Sequence, residues 1–421
     1  MKKRITIILG AGAMCEATSV STSSLTKKII DKCEDIERIP KSNKTLIDAI
    51  LENAKQIYST EMENSNISKG LEYPMNFEEI FHVLELMPNY LSNSRLKNFI
   101  SPYRILTDIK ETFSNLTLNT VFKNERCIID TINDEIYDYD CLFQKKGKEY
   151  SSFFRQLIDS SGCQLDVFNL NYDTWMEQSL KEYNDGFVDI PGYENKMKRF
   201  DVREYYKRDE RHIVSHIHGQ ILFEYPEFIT NDTNKYTFQD PRNSLYKYCS
   251  YEQAKSFRKR SARSDDYTQA GENIFRCNLI TGLMKTEKLL WNPMAAYHNR
   301  LMNSLIENSR LLLIGYGFGD IYINALLEQY NAMHYNDKQV VMIDYVDYKK
   351  ETWWDFPPHK SFFTPDAKTV FVKRIFQRDD WCHGRPKKDI YYSDDNSVCI
   401  CICGVKKTIE NHMDEILKVI K

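Results

Sequence analysis

Several features that would place this chain in a particular class are scarce or missing. Glycine (15) and proline (12) are few for 421 residues, which excludes collagen-like and low-complexity chains and indicates a folded, helix-rich protein. No stretch approaches the roughly 18 apolar residues of a membrane-spanning helix. The short apolar run near the start lacks the length and cleavage site of a secretory signal. We therefore expect a cytoplasmic protein without a membrane contact.

Charge and phosphate-binding motifs exclude two further classes. The net charge is −3, so no basic excess points to direct nucleic-acid binding. The local basic group Arg258–Arg260 is interpreted as solvated surface. No G-x-x-x-x-G-K-[ST] loop occurs, so the chain is not itself a P-loop ATPase. At about 150 residues per domain, the length allows roughly two or three structural units.

The cysteines follow no pattern typical of a disulfide framework or a zinc module. There are 11, an odd number, and no Cys-x-x-Cys pair occurs. We interpret them as reduced and mostly buried, as expected in the cytosol. Cys399, Cys401 and Cys403 alternate with strand spacing, which favours one face of a buried strand over a metal site. The sequence therefore predicts no metal ligands.

The apolar pattern predicts an α/β fold. Strands are expected at 4–9, 164–171 and 213–219, each a largely apolar run. A complete βαβ unit follows, with strands Arg310–Ile314 and Gln339–Asp344 on either side of a helix Ile321–Tyr330. A second helix is expected over 294–310.

Three other segments depart from this pattern. A helical insertion is expected over about 26–160, where Asn76 and Glu79 resemble a capping box. The polar stretch of about 226–290 is predicted to be a loop-rich insertion. Residues 1–349 would then form the main domain and 350–421 a small C-terminal α+β subdomain. That subdomain would contain strands Thr369–Val372 and Val398–Cys403 and a terminal helix Ile409–Ile420.

The first candidate site is Gly10-Ala11-Gly12, directly after the first strand. Glycines in that position allow a phosphate to approach free backbone N–H groups. The fingerprint G-x-G-x-x-G fails, because its third glycine position is Cys15. A Ser/Thr-rich loop is expected next, with Ser23 or Ser24 capping a helix near Leu25. A tight strand-to-helix turn without a ligand is the alternative.

Polar residues follow the next two strands. Asn171 and Asp173 come directly after a buried strand, and Asp173 is expected to cap a helix Thr174–Tyr183. His218 precedes Gly219 at the end of the third strand, where a ligand can come close, whereas His216 is interpreted as structural. In open α/β sheets, ligands bind at this edge of the sheet.

The βαβ unit supplies the last group of candidates. Gly315 and Gly317 lie in its first turn, and Asp344 ends its second strand. Glycines before a helix are typical of a phosphate cradle, and an acidic residue after the next strand is typical of an acceptor for ribose hydroxyls. A plain structural turn is the alternative.

Together, the motifs resemble the sirtuin family in its bacterial, sirtuin-like branch. The resemblance rests on Gly-Ala-Gly, Asn-Tyr-Asp-Thr-Trp-Met-Glu, His-Gly and Ile-Gly-Tyr-Gly-Phe-Gly-Asp in this order. It implies a doubly wound, Rossmann-like sheet that binds NAD. It assigns Asn171 to the ribose or the attacking water, Asp173 to the nicotinamide amide and His218 to the general base. The pyrophosphate would lie against Gly10, Ala11, Gly12, Gly315 and Gly317, and the adenosine ribose near Asp344.

The expected function depends on where this sequence differs from deacetylating sirtuins. Their zinc module has two Cys-x-x-Cys pairs, but residues 219–314 contain only Cys249 and Cys277, so no zinc is expected. The resemblance therefore points to an NAD hydrolase that depletes NAD in anti-phage defence. It also implies a homo-oligomer that works beside a separate HerA-type ATPase. The alternatives are a non-catalytic NAD or ADP-ribose sensor and an NAD-dependent protein deacylase.

Overall fold

The computed structural model describes the chain in separate stretches. These are residues 3–33, 45–63, 75–92, 117–207, 210–225, 245–258, 277–282, 285, 289, 292–345, 389–393 and 395–421. The predicted strand Thr369–Val372 and most of the loop-rich stretch 226–290 lie outside the described residues.

A large, mostly parallel sheet forms the centre of the molecule. The strands of the described residues are β1 Arg4–Leu9, β2 Gln164–Asn169, β3 Tyr183–Asn184, β4 Phe187–Asp189, β5 Met197–Phe200, β6 His212–His216, β7 Phe223–Glu224, β8 Tyr246–Tyr248, β9 Arg310–Ile314, β10 Gln339–Ile343, β11 Ile390–Tyr392 and β12 Val398–Cys401. Eight of them form the main sheet in the order β11-β12-β10-β9-β1-β2-β6-β3. All neighbours in it are parallel except β11 and β12. The sheet confirms the predicted Rossmann-like α/β class.

Helices cover both faces of this sheet. They are α1 Gly12–Thr18, α2 Thr22–Cys33, α3 Leu46–Glu63, α4 Phe77–Ser92, α5 Leu118–Asp140, α6 Phe143–Lys146, α7 Lys148–Ser161, α8 Trp175–Ser179, α9 Val202–Tyr205, α10 Tyr251–Arg258, α11 Met294–Glu307, α12 Ile321–Met333, α13 Val405–Asn411 and α14 Met413–Ile420. One core cluster lies under α2 to α7 and α14, and a second lies under α11 and α12. Because helices pack on both faces of the sheet, nearly every side chain of a central strand is buried, which explains the nearly continuous apolar runs.

The central strand β1 shows how the pattern produces the layers. Ile5, Ile7 and Leu9 enter the first core cluster, whereas Ile8 enters the second. Side chains alternate between faces along a strand, so one short segment contributes to both cores. The strand predicted at 4–9 is confirmed, as is Arg310–Ile314.

The segment after β1 differs from the prediction. A helix, α1, begins at Gly12 directly after the turn, and it ends where Ser19 adopts a left-handed conformation (φ 61). The expected Ser/Thr-rich loop and the helix start near Leu25 are therefore wrong. Ala13 and Met14 are buried in the first core cluster, so packing adds to the helix preference of the alanines, the methionine and the glutamate in this segment.

Most of the residues between β1 and β2 that the structure describes are helical. The predicted capping box at α4 is confirmed, since the backbone N–H of Asn76 donates to Glu79 Oε2 (2.8 Å) and the N–H of Glu79 donates to Asn76 Oδ1 (3.0 Å). These reciprocal bonds satisfy two backbone donors at the helix start. Helices α2, α4 and α5 share the first core cluster with the sheet, so the insertion is packed on the main fold.

A second, smaller sheet lies beside the first. It is antiparallel and has four strands in the order β4-β5-β8-β7. Strands β7 and β8 belong to the stretch in which a deacetylating sirtuin would carry its zinc module. In the described part of this chain, that stretch therefore contributes strands to an antiparallel sheet.

The described C-terminal residues extend the main sheet. Strand β12 pairs in parallel with β10, and β11 pairs with β12. The described part of 350–421 thus shares the main sheet through β12, and the division of the chain into a main domain and a small C-terminal subdomain stays a prediction. The single helix expected over Ile409–Ile420 is two helices that meet at His412. Within the described ranges, no helix is both long and apolar enough to cross a membrane.

Candidate functional site

The carboxyl ends of four neighbouring strands bring the predicted site residues to one edge. Gly10 follows β1, Asn171 follows β2, His218 follows β6 and Gly315 follows β9. These strands are adjacent in the sheet, in the order β9-β1-β2-β6. Residues that are far apart in the chain therefore meet where ligands bind in open α/β sheets.

Three of the predicted glycines pack against one another. The N–H of Gly12 donates to the carbonyl of Gly315 (2.9 Å), and a Cβ at Gly10 would lie 2.5 Å from the same oxygen. Gly315 has φ +59, and a Cβ there would lie 2.0 Å from the backbone nitrogen of Ala13. These glycines are required for the contact between the two loops, whether or not a phosphate lies nearby.

Gly317 is in a different position. No atom of the described residues lies within 4 Å of the place where its Cβ would be, and the residue is exposed. Ala11 in the facing loop is exposed as well. Since packing does not require a glycine at 317, the open space beside it fits a ligand group that approaches the backbone.

Asn171 connects the first two loops. Its side-chain Nδ2 donates to the carbonyl of Gly10 (3.1 Å), and its backbone N–H donates to Asn169 Oδ1 (2.9 Å). Both bonds are buried, and they fix the orientation of the amide. Among the described residues, no donor pairs with the Oδ1 atom, which is therefore able to accept a hydrogen bond from a ligand hydroxyl or a water.

His218 is paired with a carboxylate from the late glycine motif. Its Nε2 lies 3.0 Å from Asp320 Oδ2, and both side chains are largely buried. Asp320 also caps α12, since its Oδ1 accepts from the N–H groups of Tyr322 and Ile323. Because the Asp320 carboxylate accepts a hydrogen bond, it favours the His218 tautomer that carries the proton on Nε2. In this tautomer Nδ1 has the lone pair that can accept a proton.

The charges around this pair keep the histidine neutral and the aspartate ionised. Burial lowers the pKa of His218, and Lys285 lowers it further, while Asp320 and Glu78 act in the opposite direction. Burial works to raise the pKa of Asp320, but the hydrogen bond from His218 and the charge of Lys285 hold it well below its usual value. A neutral imidazole oriented by an anion is the form that a general base needs.

Asp320 was not among the predicted site residues. The sequence pattern marks it only as the residue that ends Gly-Phe-Gly-Asp before a helix, which indicates an N-cap. Its pairing with His218 joins the loops after β6 and β9 through two residues that are 102 positions apart in the chain. One signal could have suggested the pair: His218 follows one strand, Asp320 caps the helix after another, and both strands end at the same edge of the sheet.

Asp173 lies within the protein. Its Oδ1 accepts from the N–H of Trp175 (3.0 Å), and its Oδ2 accepts from the hydroxyl of Tyr139 (3.2 Å). The N-cap position of α8 is Thr174, one residue after the expected cap at Asp173. The side chain has no exposed surface, and burial raises its pKa. The helix it precedes, α8, is shorter than predicted. The structure gives Asp173 a role in holding the loop after β2, and its contact with nicotinamide stays a prediction.

A neighbouring aspartate also joins this loop to α5. The carboxylate of Asp140 accepts from both the N–H and the hydroxyl of Thr174, each at 2.8 Å. Burial, with the nearby charge of Asp173, raises the pKa of Asp140 to about 7. The helical insertion is thus hydrogen-bonded to the loop that carries Asn171.

The remaining predicted residue, Asp344, lies further along the sheet edge. It follows β10, its N–H donates to the carbonyl of Cys401, and its Oδ1 accepts from the N–H of Tyr345. It is half-buried. β10 neighbours β9, so Asp344 is on the side of the glycine loops away from His218. This placement is compatible with the far end of a dinucleotide, and its ribose contact stays a prediction.

A buried ionic cluster lies beneath His218. Glu177 Oε1 is 2.9 Å from His216 Nε2 and 3.2 Å from Lys247 Nζ, and it also accepts a short hydrogen bond from Gln220. Lys247 pairs in turn with Asp185 at 2.6 Å. His216 and Gln220 stand two residues before and after His218. Through His216 and Gln220, the cluster fixes the chain before and after His218. This agrees with the interpretation of His216 as a structural residue.

Among the described residues, one group of possible metal ligands lies beside Asp344, whose carbonyl accepts from the N–H of Gly404. Single ligand atoms of Asp389, Cys403 and His412 lie within 4.8 Å of one another. Cys399 and Cys401 face the first core cluster, as the strand interpretation predicted. The absence of zinc stays a prediction.

The fold and the site define an α/β protein whose sheet edge carries two glycine loops, an asparagine and a buried histidine–aspartate pair. Comparison with protein families makes the class more specific: residues 166–355 match the SIR2-like domain. The matched segment contains Asn171, His218, Gly315 and Asp320. The match supports a sirtuin-like family for this part of the chain, and members of that family act on NAD. A comparison with curated proteins found no match.

Proposed function

We propose that the protein is an NAD⁺ hydrolase that cleaves the bond between nicotinamide and ribose to give nicotinamide and ADP-ribose. The observation that supports this most directly is the convergence of Asn171 and the His218–Asp320 pair on one sheet edge. The open space at Gly317 fits the approach of a phosphate, and the SIR2-like match covers the same residues.

The reaction requires little from the protein beyond orientation and one proton acceptor. A water oxygen bonds to C1′ of the ribose while the bond from C1′ to the nicotinamide nitrogen breaks. The electron pair leaves with nicotinamide, which departs neutral, and the water proton passes to the base. The transition state resembles an oxocarbenium ion, as in glycoside hydrolysis.

The two central side chains fit these tasks. Asn171 Oδ1 would orient the water or a ribose hydroxyl, since its Nδ2 is already held by Gly10. His218 would accept the proton, directly or through the ribose hydroxyls, and Asp320 would stabilise the imidazolium that forms. A general base of this kind typically contributes about 10²–10⁴-fold to the rate.

A non-catalytic sensor of NAD or ADP-ribose is the second candidate. A binding site can use glycine loops and an asparagine, but it has no need for a neutral, buried histidine oriented by an ionised carboxylate. The third candidate, an NAD-dependent deacylase, has less support, because residues 219–314 contain only two cysteines, Cys249 and Cys277.

In the cell, we propose that this activity depletes NAD during anti-phage defence. An unregulated NAD hydrolase would kill its own host, so a gate is required. We propose a homo-oligomer in the cytoplasm whose activity is controlled by a separate HerA-type ATPase. These proposals rest on the sequence resemblance.

The direct test is an assay of nicotinamide release from NAD, with and without the ATPase partner. We expect equal amounts of nicotinamide and ADP-ribose from the wild type, and at least a roughly 100-fold loss in Asn171→Ala and His218→Ala. Asn303→Ala on α11, an asparagine whose bond to Asn299 is exposed, serves as the matched control.

The outcomes separate the three candidates. If both site variants release nicotinamide at the wild-type rate under every activating condition, the catalytic assignment is wrong. Loss of NAD only in the presence of an acetylated peptide would favour the deacylase. Tight ADP-ribose binding by calorimetry with no turnover in any condition would favour the sensor.

A further inference from the structure

One lysine of the loop-rich stretch lies between the helical insertion and the His218–Asp320 pair. Lys285 Nζ is 3.3 Å from Glu78 Oε1 on α4 and 3.9 Å from Asp320 Oδ2. Asp320 Oδ2 is the same oxygen that lies 3.0 Å from His218 Nε2. A continuous row of charges therefore runs from α4 to the base.

The backbone near Lys285 is packed closely on α4. Gly282 has φ +81, and a Cβ there would lie 2.5 Å from Glu85 Oε2 and 3.2 Å from the Phe81 ring. The N–H of Ile280 donates to the carbonyl of His218 at 2.7 Å. The segment 277–282 is thus in contact with the base on one side and with the insertion on the other, which places Lys285 at their junction.

Charged and titratable groups face His218 from each element packed around it. They are Asp320 from α12, Lys285 from the loop, Glu78 from α4 and His298 from α11. Lys285 lowers the pKa of His218, and Glu78 raises it. The two members of the ion pair therefore act on the base with opposite signs.

We propose that Lys285 regulates how Asp320 orients His218 and that Glu78, from the helical insertion, restrains Lys285. The proposal rests on the proposed NAD hydrolysis. Glu78 is the nearer partner of Lys285 and keeps the ammonium from pairing fully with Asp320. When α4 moves away, Lys285 competes with His218 for Asp320 Oδ2, and the base loses its orienting partner. Contacts of a second subunit or a partner with the insertion would reach the site by this route.

The test compares the pH dependence of kcat/KM for NAD cleavage in single variants. The acid limb of this profile reports the base that must be deprotonated. Lys285→Gln removes a positive charge and is expected to move the limb to higher pH, with roughly five-fold lower kcat/KM at a fixed pH on the limb. Glu78→Gln is expected to move the limb to lower pH. Lys285→Arg retains the charge and should keep the wild-type position.

A matched control is available in a second ion pair. Lys255 Nζ lies 2.7 Å from Asp134 Oδ1 and also joins the insertion, through α5, to the loop-rich stretch. Its side chains are about as exposed as those of the Lys285–Glu78 pair, at 33%/31% against 20%/30%. Lys255→Gln loses an equivalent pair but no charge near His218, so its profile should coincide with that of the wild type.

The titration of His218 by NMR gives a second readout that needs no activity, with the resonance assigned from His218→Gln. Opposite shifts in Lys285→Gln and Glu78→Gln support the proposal even if the wild type releases no nicotinamide, in which case only the proposed function fails. Shifts in the same direction, or none, overturn it. A higher KM for NAD with an unmoved acid limb would also overturn it, because Lys285 would then act in binding.

Discussion

The pairing of His218 with Asp320 determines how the site should respond to pH. Burial and Lys285 lower the pKa of the imidazole, so the base is neutral at neutral pH. The proposed NAD cleavage should therefore be fully present above that pKa and should be lost as the pH falls through it. Because Asp320 raises the pKa of His218 and fixes its tautomer, removing the carboxylate should affect both the position of the acid limb and the maximal rate.

The variant Asp320→Asn tests this. It keeps the shape of the side chain and most of the α12 cap but removes the charge. We expect kcat to fall roughly 10–100-fold, by analogy with the loss of a carboxylate that orients a ligating histidine, and the acid limb to move to lower pH. Asp395→Asn, in the turn after β11, is a control far from the base. An unchanged kcat with a raised KM would contradict the orienting role.

For single residues, the sequence predicts which side chains lie at the sheet edge better than it predicts which side chains bond to each other. Asn171 and His218 could be identified because each ends an apolar strand, a local property. The bonds from Asn171 to Gly10 and from His218 to Asp320 join residues 161 and 102 positions apart, and these depend on strand order. Asp173 also follows an apolar strand, but its carboxylate is buried and accepts a hydrogen bond from the hydroxyl of Tyr139.

Among the elements, the two glycine loops have different requirements. Gly315 is in the left-handed region and touches the backbone of the first loop, whereas Gly317 borders open space. The sequence assigns both to phosphate binding. The structure separates them, because only the three-dimensional contact of the loops shows which glycine is needed for packing.

Alanine at the two positions should therefore have opposite effects. Gly315→Ala is expected to lower the free energy of unfolding by about 2 kcal/mol or more, since the strained φ and the backbone clash add. Gly317→Ala should leave the unfolding free energy within about 0.5 kcal/mol and weaken NAD binding instead. Urea denaturation and calorimetric titration with ADP-ribose measure the two quantities. Equal destabilisation by both changes would show that the distinction is wrong.

Elements with strong apolar patterns were predictable, and those determined by packing were not. The strands at Arg4–Leu9 and Arg310–Ile314 are as predicted, because a run buried on both faces has a clear signal. Helix α1 was missed because it has only seven residues, too few for a repeating apolar pattern, and no side-chain cap marks its start. The division of the last helix at His412 has no clear sequence marker.

For the whole molecule, the buried cluster around Lys247 joins the two sheets. Lys247 is on β8 of the small sheet, and it pairs with Glu177 and Asp185 near the main sheet. Removing one member of a buried ion pair leaves uncompensated charge, whereas an exposed pair contributes little. The cluster should therefore be a major determinant of stability, although it lies outside the proposed reaction.

Lys247→Met is expected to lower the free energy of unfolding by roughly 3–5 kcal/mol. Lys198 provides the control: it lies opposite Lys247 on β5, and its pair with Asp189 is exposed. Lys198→Met should change stability by less than about 1 kcal/mol. Both values can be taken from chemical denaturation followed by circular dichroism. A loss of similar size in the two variants would mean that the cluster does not join the sheets.

The position of β1 at the centre of the sheet has a consequence for synthesis. β1 is made before both of its neighbours: β2 begins at Gln164 and β9 at Arg310. At about 5–20 residues per second, β9 emerges roughly 15–60 s after β1. Until β2 has been made, this apolar strand has neither partner, and until β9 emerges it has only one, so its capture depends on the helices made in between or on a chaperone. Asp320 follows β9, so His218 has no orienting partner until then. If the protein cleaves NAD as proposed, the nascent chain would be unable to do so before Asp320 has emerged.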